Sequence, residues 1–156
     1  RTPEQNALWQ YLHAHDRPTT IEAVASGSGM LNIYDFMLQS DQISGHTHTS
    51  PVSAMDITRL ATGNGKSDAL ARLVLDLFVD CLGNAIGDLA LAMLPMGGIY
   101  LTGGIAPNLL SPLESCRFIN AFNDKSAQSD ITRRVPVHVV KNEHVALLGC
   151  AQISSH

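Results

Sequence analysis

From about Ser67 to Leu94 the chain repeats apolar side chains every three or four residues: Leu70, Val74, Leu77, Phe78, Cys81, Leu82, Ile86, Leu89 and Met93. Such a stripe specifies an α-helix, and its width predicts that most of the helix is buried. At a rise of about 1.5 Å per residue it reaches roughly 40 Å, enough to cross a whole domain. The other elements must therefore be arranged around it. Gly83 and Gly87 lie four apart on one face, where each costs about 1 kcal/mol of helix stability. That spacing predicts compensation by the close approach of another backbone or helix. Arg72, Asp76, Asp80 and Asp88 interrupt the stretch too often for a membrane span.

The shorter elements follow from caps and breakers. Pro3 suits a first helical turn with Thr2 as its cap, and Ala7, Leu8, Tyr11 and Leu12 recur at helical spacing. Arg17-Pro18 ends that helix. Thr19 or Thr20 is placed to cap a second, short helix with Glu22 in its first turns. Ser26-Gly27-Ser28-Gly29 is predicted as a flexible corner leading into an amphipathic helix through Leu31, Tyr34 and Leu38. Residues 40–52 read as loop. Ser53 then caps a helix through Leu60 that stops at Gly63-Asn64-Gly65.

Two strands are predicted, at about 99–102 and 135–140, with Pro136 at a strand start or edge because it lacks an N–H. Short helices around Leu109, Leu113, Phe118 and Phe122 connect them, and a last helix runs from about Glu143 through Ile153. A strand, a helical crossover and a strand imply a parallel pair. Two parallel strands do not make a self-sufficient sheet, since parallel sheets are normally wider and covered on both faces. Further strands are expected from elsewhere, either another chain or the rest of a longer protein. The second is favoured.

Of the 156 residues, 45% are apolar and 15% charged, which excludes a disordered chain. Ten basic against fourteen acidic residues give a net charge of −4, with no basic stripe suited to nucleic acid. Cys81, Cys116 and Cys150 have no short spacing, which argues against a disulfide framework or a cysteine zinc site and favours a reducing compartment. The chain opens with no charged-then-apolar leader. A soluble, cytoplasmic protein is expected.

Chemistry concentrates in Gly97-Gly98-Ile99-Tyr100-Leu101-Thr102-Gly103-Gly104-Ile105-Ala106-Pro107-Asn108. A strand ends in paired glycines and enters a helix, a corner where a flat ligand or phosphate meets bare backbone. An ordinary tight strand-to-helix turn has the same local pattern.

The order of elements resembles the adenosine-binding motif of the sugar kinase, heat-shock protein 70 and actin superfamily. More narrowly, Glu22-Ala23-Val24-Ala25-Ser26-Gly27-Ser28-Gly29-Met30-Leu31-Asn32-Ile33-Tyr34 is similar to the E-x-x-x-S-G-x-G-L-x-N-x-Y segment of the bacterial glucokinase family. Phe118 to Lys125 resembles its F-x-x-A-F-x-D-K run, and Pro136-Val137 with Leu147-Leu148-Gly149 its closing strand and helix. The resemblance runs from Thr20 onward.

It implies an α/β fold: the helix-rich C-terminal lobe of an actin-like (ribonuclease H-like) ATPase, present as one partial domain over residues 1–156 without the N-terminal lobe. It also implies ATP-dependent phosphorylation of glucose at its 6-hydroxyl, with Mg2+ held mainly by the part not represented. Glu22 falls on the sugar-binding glutamate, whose two oxygens suit adjacent hydroxyls. Without the Ser-Gly-x-Gly context Glu22 reads instead as a surface glutamate stabilising a helix N-terminus. Gly103, Gly104 and Ile105 fall on the nucleotide-contacting turn, and Gly27 and Ser28 border the nucleotide cleft.

The family's D-x-G-G-T-N phosphate loop and its E-G-G-H sugar segment do not occur in this sequence, and its catalytic aspartate in N-D is not matched, since Asn123-Asp124 belongs to the F-x-x-A-F-x-D-K run. No catalytic residue is therefore assigned, and the chain alone is expected to be inactive. His46-Thr47-His48 reads as a solvated loop, since no third metal ligand accompanies it. His13 and His15 read the same way, and no metal site is assigned. The zinc signature of the related repressor and kinase family is also absent. Asp80, Asp88 and Asp124 read as solvated or capping carboxylates. A non-catalytic, kinase-like regulatory or interaction module is the alternative, and a homodimer is expected.

Overall fold

The long helix forms because both of its ends are stopped. Asp68 accepts a hydrogen bond from the Ala71 N–H at 2.8 Å, and Leu94 turns left-handed, at φ 46°, just before Pro95. The computed structural model describes residues 2–40, 53–63, 68–103, 106–142 and 144–154. Among them α1 is Pro3–Ala14, α2 Gly27–Gln39, α3 Ala54–Thr62 and α4, the central helix, Ala69–Met93. β1 is Ile99–Leu101, followed by α5 at Leu110–Leu113, α6 at Cys116–Asn123 and α7 at Ser129–Thr132. β2 is Val137–Val139 and α8 is Val145–Ser154. Short 3₁₀ turns at Ala106–Leu109 and Ser126–Gln128 lead into α5 and α7.

The core gathers on α4. Leu70, Ala71, Val74, Leu77, Phe78 and Ile86 are buried, with Met30 and Ile33 of α2, Ile57 of α3, and Phe118 and Phe122 of α6. α2 and α3 lie against α4, and α6 makes its closest packing. The glycine spacing has the predicted consequence. A Cβ on Gly83 would sit 2.9 Å from the Phe118 carbonyl oxygen, and one on Gly87 would collide with the Phe122 carbonyl oxygen. Burial stops short of the predicted stripe, however. Leu89 and Met93 are exposed, although Ala90 between them is fully buried.

The strands pair in parallel, with Ile99 opposite Val137, Tyr100 opposite His138 and Leu101 opposite Val139. Both are shorter than predicted, but ladder bonds run from the Pro136 carbonyl to the Val140 N–H. β1 is half-buried rather than fully covered. Ile99 and Leu101 face the core, while Tyr100 stacks on His138 with ring centroids 4.9 Å apart on the outer face.

Thr2 caps α1 through a full capping box with Gln5, and Ser53 caps α3. The helix predicted after Thr19 does not form. Residues 20–25 make tight turns, with Thr20 and Ile21 carbonyls accepting from Ala23, Val24 and Ala25. Ser26 takes extended backbone there and caps α2, which starts at Gly27, so the predicted corner is instead the first turn of a helix. No helix among the described residues is long and apolar enough to cross a membrane. His46, His48, Asn64, Gly65, Gly104, Ile105 and Glu143, with most of the predicted 40–52 loop, lie outside the described residues.

Candidate sugar and nucleotide site

Glu22 projects from the turns between α1 and α2, and the turn is fixed from behind. Ser26 Oγ donates to the Glu22 carbonyl oxygen at 2.6 Å and accepts from the Gly29 N–H at 3.0 Å. Asn32 Nδ2 donates to the Ala23 carbonyl at 2.9 Å. Its Oδ1 accepts from Arg17 at 2.7 Å, and Arg17 in turn pairs with Asp35 at 2.9 Å. Gly29 completes the arrangement, since a Cβ there would lie 2.8 Å from the Val24 backbone. The backbone around Glu22 is therefore held by the Ser26 and Asn32 side chains and one close approach, with Arg17 and Asp35 fixing Asn32. Its own side chain is exposed and engages in no hydrogen bond or ion pair among the described residues. An unpaired carboxylate on a rigid turn is suited to accept from a ligand's hydroxyls.

Gly27 and Ser28 sit in the first turn of α2, where Ser28 Oγ lies 3.0 Å from Ser26 Oγ. Their nearest duty is to the helix start. Gly103 follows β1 with φ +111°, a conformation that side chains other than hydrogen resist, and a Cβ there would meet nothing within 4 Å.

A cleft of about 340 Å³ opens beside the Glu22 turn. Trp9 of α1, Thr20 and Ile21 of the turn, Asn84 and Asp88 of α4, and Lys125 are among its walls. Neither Glu22 nor Gly103 lines it. Lys125, at the end of the F-x-x-A-F-x-D-K run, is not a free cation. It is 93% buried as a side chain by its 7% exposure, and it donates to the Asn84 carbonyl at 2.9 Å and pairs with Asp88 at 2.8 Å. This run seats α6 on α4.

Arg117 extends the same seam. Its Nε and Nη2 grip both oxygens of Asp80 at 2.8 and 2.6 Å, and Nη1 reaches Asp76 at 3.3 Å. Burial alone lowers the Arg117 pKa, but the Asp80 hydrogen bond and the charges of Asp80, Asp76 and Glu4 outweigh it and raise the pKa. Asp80 is thus a largely covered ion-pair partner rather than the solvated or capping carboxylate the sequence suggests, whereas Asp88 pairs with Lys125 while remaining solvated. Among the described residues no three His, Cys, Asp or Glu side chains gather into a metal-holding group.

Sequence reasoning missed Arg17 and Asp35 as members of the Glu22 support. The available signal was Asn32 and Asp35, two polar residues three apart on an otherwise apolar helix.

The glucokinase family profile matches residues 1–156, the whole chain. The chain belongs to the glucokinase family. It is 34% identical over 151 residues to a glucokinase of Mesorhizobium japonicum, covering 97% of this chain and 42% of that protein. With a glucokinase of Brucella suis it shares 36% over 149 residues, covering 96% and 42% respectively. The crystal structure of a glucokinase from an Antarctic psychrotroph superposes with a TM-score of 0.82 at 31% identity, over 98% of this chain and 46% of that one. The fold is accordingly a helix-rich α/β fragment of the sugar-kinase type. This glucokinase-family chain spans less than half the length of these relatives.

Proposed function

We propose that these residues form the C-terminal, large-lobe portion of an ATP-dependent glucose kinase. Glu22 accepts hydrogen bonds from ring hydroxyls of the sugar, and Gly103, Gly104 and Ile105 are the residues assigned to contact the purine nucleotide. Gly27 and Ser28 border that cleft. The observation that carries this reading is the free Glu22 carboxylate on a turn fixed from behind, in a chain matched end to end by the glucokinase family.

Phosphoryl transfer depends on positioning and charge stabilisation from both sides of a cleft. Here the chain contributes sugar orientation and a nucleotide platform. The phosphate loop, the general base that takes the 6-hydroxyl proton and the carboxylate that positions Mg2+ belong to the portion these residues do not span. Alone, the chain makes no glucose 6-phosphate at a useful rate.

Two coupled-enzyme assays test the proposal. The purified chain is expected to form no ATP-dependent product. A chimera carrying residues 1–156 in place of the stretch they match in the Mesorhizobium japonicum glucokinase is expected to phosphorylate glucose. Robust turnover by the chain alone, or a folded chimera without turnover, would overturn it.

A further inference from the structure

Arg17 reaches α2 because the chain reverses just before it. Asp16 takes left-handed backbone at φ 52°, which aspartate tolerates better than most side chains, and the Arg17 N–H closes the turn on the Leu12 carbonyl at 2.9 Å. The guanidinium then stands 5.9 Å over the Tyr11 ring, pairs with Asp35 at 2.9 Å and donates from Nη1 to Asn32 Oδ1 at 2.7 Å. With side chains 32% and 45% exposed, the Arg17–Asp35 pair contributes little to global stability. Its consequence lies at Asn32. A carboxamide fits the same space with its oxygen and nitrogen exchanged, and a neighbour that only donates decides between the two. Arg17 is such a neighbour: it draws the Asn32 oxygen toward itself and leaves Nδ2 facing the Ala23 carbonyl, 2.9 Å away.

Two consecutive carbonyls are thereby tied to α2, that of Glu22 by the Ser26 hydroxyl at the helix cap and that of Ala23 by Asn32 within the helix. One bond leaves a turn free to pivot about it, whereas two fix its orientation. We infer that Asn32, oriented by Arg17, is a positioning residue that sets glucose affinity by aiming the Glu22 carboxylate. The inference rests on the sugar-binding role proposed for Glu22. Asn32 itself bonds backbone and Arg17, so it acts on the sugar only through the turn. Without the Ala23 tether the carboxylate swings on a single attachment, and hydrogen bonds to ring hydroxyls weaken steeply once distance and angle drift.

The test measures kinetics in the Mesorhizobium chimera with Asn32→Asp, with Glu22→Gln and with the two combined. Asn32→Asp keeps an acceptor for Arg17 but sets an oxygen against the Ala23 carbonyl, so it cuts the tether and spares the Arg17 contacts. It should raise the glucose KM by about 10-fold and leave the ATP KM unchanged. Added to Glu22→Gln it should raise the glucose KM no further, because both changes act through one carboxylate. Arg17→Met frees the amide to turn over and should raise the glucose KM in the same way by a smaller factor; it carries the test if Asn32→Asp does not fold. A glucose KM equal to the parent's in Asn32→Asp would overturn the inference. So would effects that add to those of Glu22→Gln, or a parallel rise in the ATP KM, either of which marks a general loss of structure. In the 156-residue chain, where no chimera is needed, Asn32→Asp should speed hydrogen exchange of the Ala23, Val24 and Ala25 amides by about 10-fold or more relative to the α4 amides. Unchanged exchange there would also overturn it. If Glu22→Gln leaves the glucose KM unchanged, the sugar reading falls and this inference with it. If Glu22→Gln raises it and Asn32→Asp does not, only this inference falls.

Discussion

The groups that fix the Glu22 turn bond to its backbone or to one another, not to the Glu22 carboxylate. Ser26, Asn32, Arg17 and Gly29 hold the turn, and the carboxylate has no partner among the described residues. Beside them, burial raises the pKa of Tyr11, with Arg17 lowering it and Asp35 raising it. Burial likewise raises that of Tyr34, helped by the negative charges of Asp68 and Asp35. Both phenols are therefore easier to ionise unfolded than folded. Their contribution to stability is complete below the unfolded tyrosine pKa and is lost as pH rises through the folded values. Ultraviolet titration at the phenolate band, with Tyr34→Phe as subtraction control, should show Tyr34 ionising above free tyrosine and the denaturation midpoint falling there. A Tyr34 signal at or below the free value would contradict this. The sequence carried Glu22 only through its resemblance to a family segment. Locally, Thr19 and Thr20 offered a helix start that lost to Ser26, whose cap geometry needs extended backbone at that point.

At the level of elements, α4 and α6 were the most legible. Their apolar periods are unbroken, and the glycine pair at 83 and 87 announced a close contact. The partner of that contact was not legible, because Phe118, Ala121 and Lys125 meet those glycines only after a crossover through β1 and α5. Gly87→Ala separates the two effects at that position. Helix propensity alone favours alanine by about 1 kcal/mol, whereas an added methyl in a filled contact costs about 1–3 kcal/mol. Here the methyl would strike the Phe122 carbonyl and the Lys125 stem, so the packing cost should dominate. Urea unfolding should report net destabilisation, and a stabilised variant would mean that α6 is not seated as described. The strand limits were less legible. Hydrophobic runs specify a strand's existence better than its last hydrogen bond, and Val140 still donates to Leu101 beyond the end of β2.

The whole molecule is a helical core with an unfinished sheet. Its central helix and α6 seam are well packed, while α8 and the outer face of β1–β2 lack neighbours among the described residues. That imbalance was foreseeable from two predicted parallel strands, which cannot form a covered sheet unaided. The location of the bare surface was not, since an apolar α8 reads as core until its surroundings are seen. The sugar-holding role proposed for Glu22 is best measured in a completed molecule. The most direct measurement is the glucose dependence of turnover in the Mesorhizobium chimera with and without Glu22→Gln. Losing a charged acceptor for sugar hydroxyls should raise the glucose KM by about 10- to 100-fold and leave the ATP KM unchanged. A glucose KM equal in the two proteins would contradict the account.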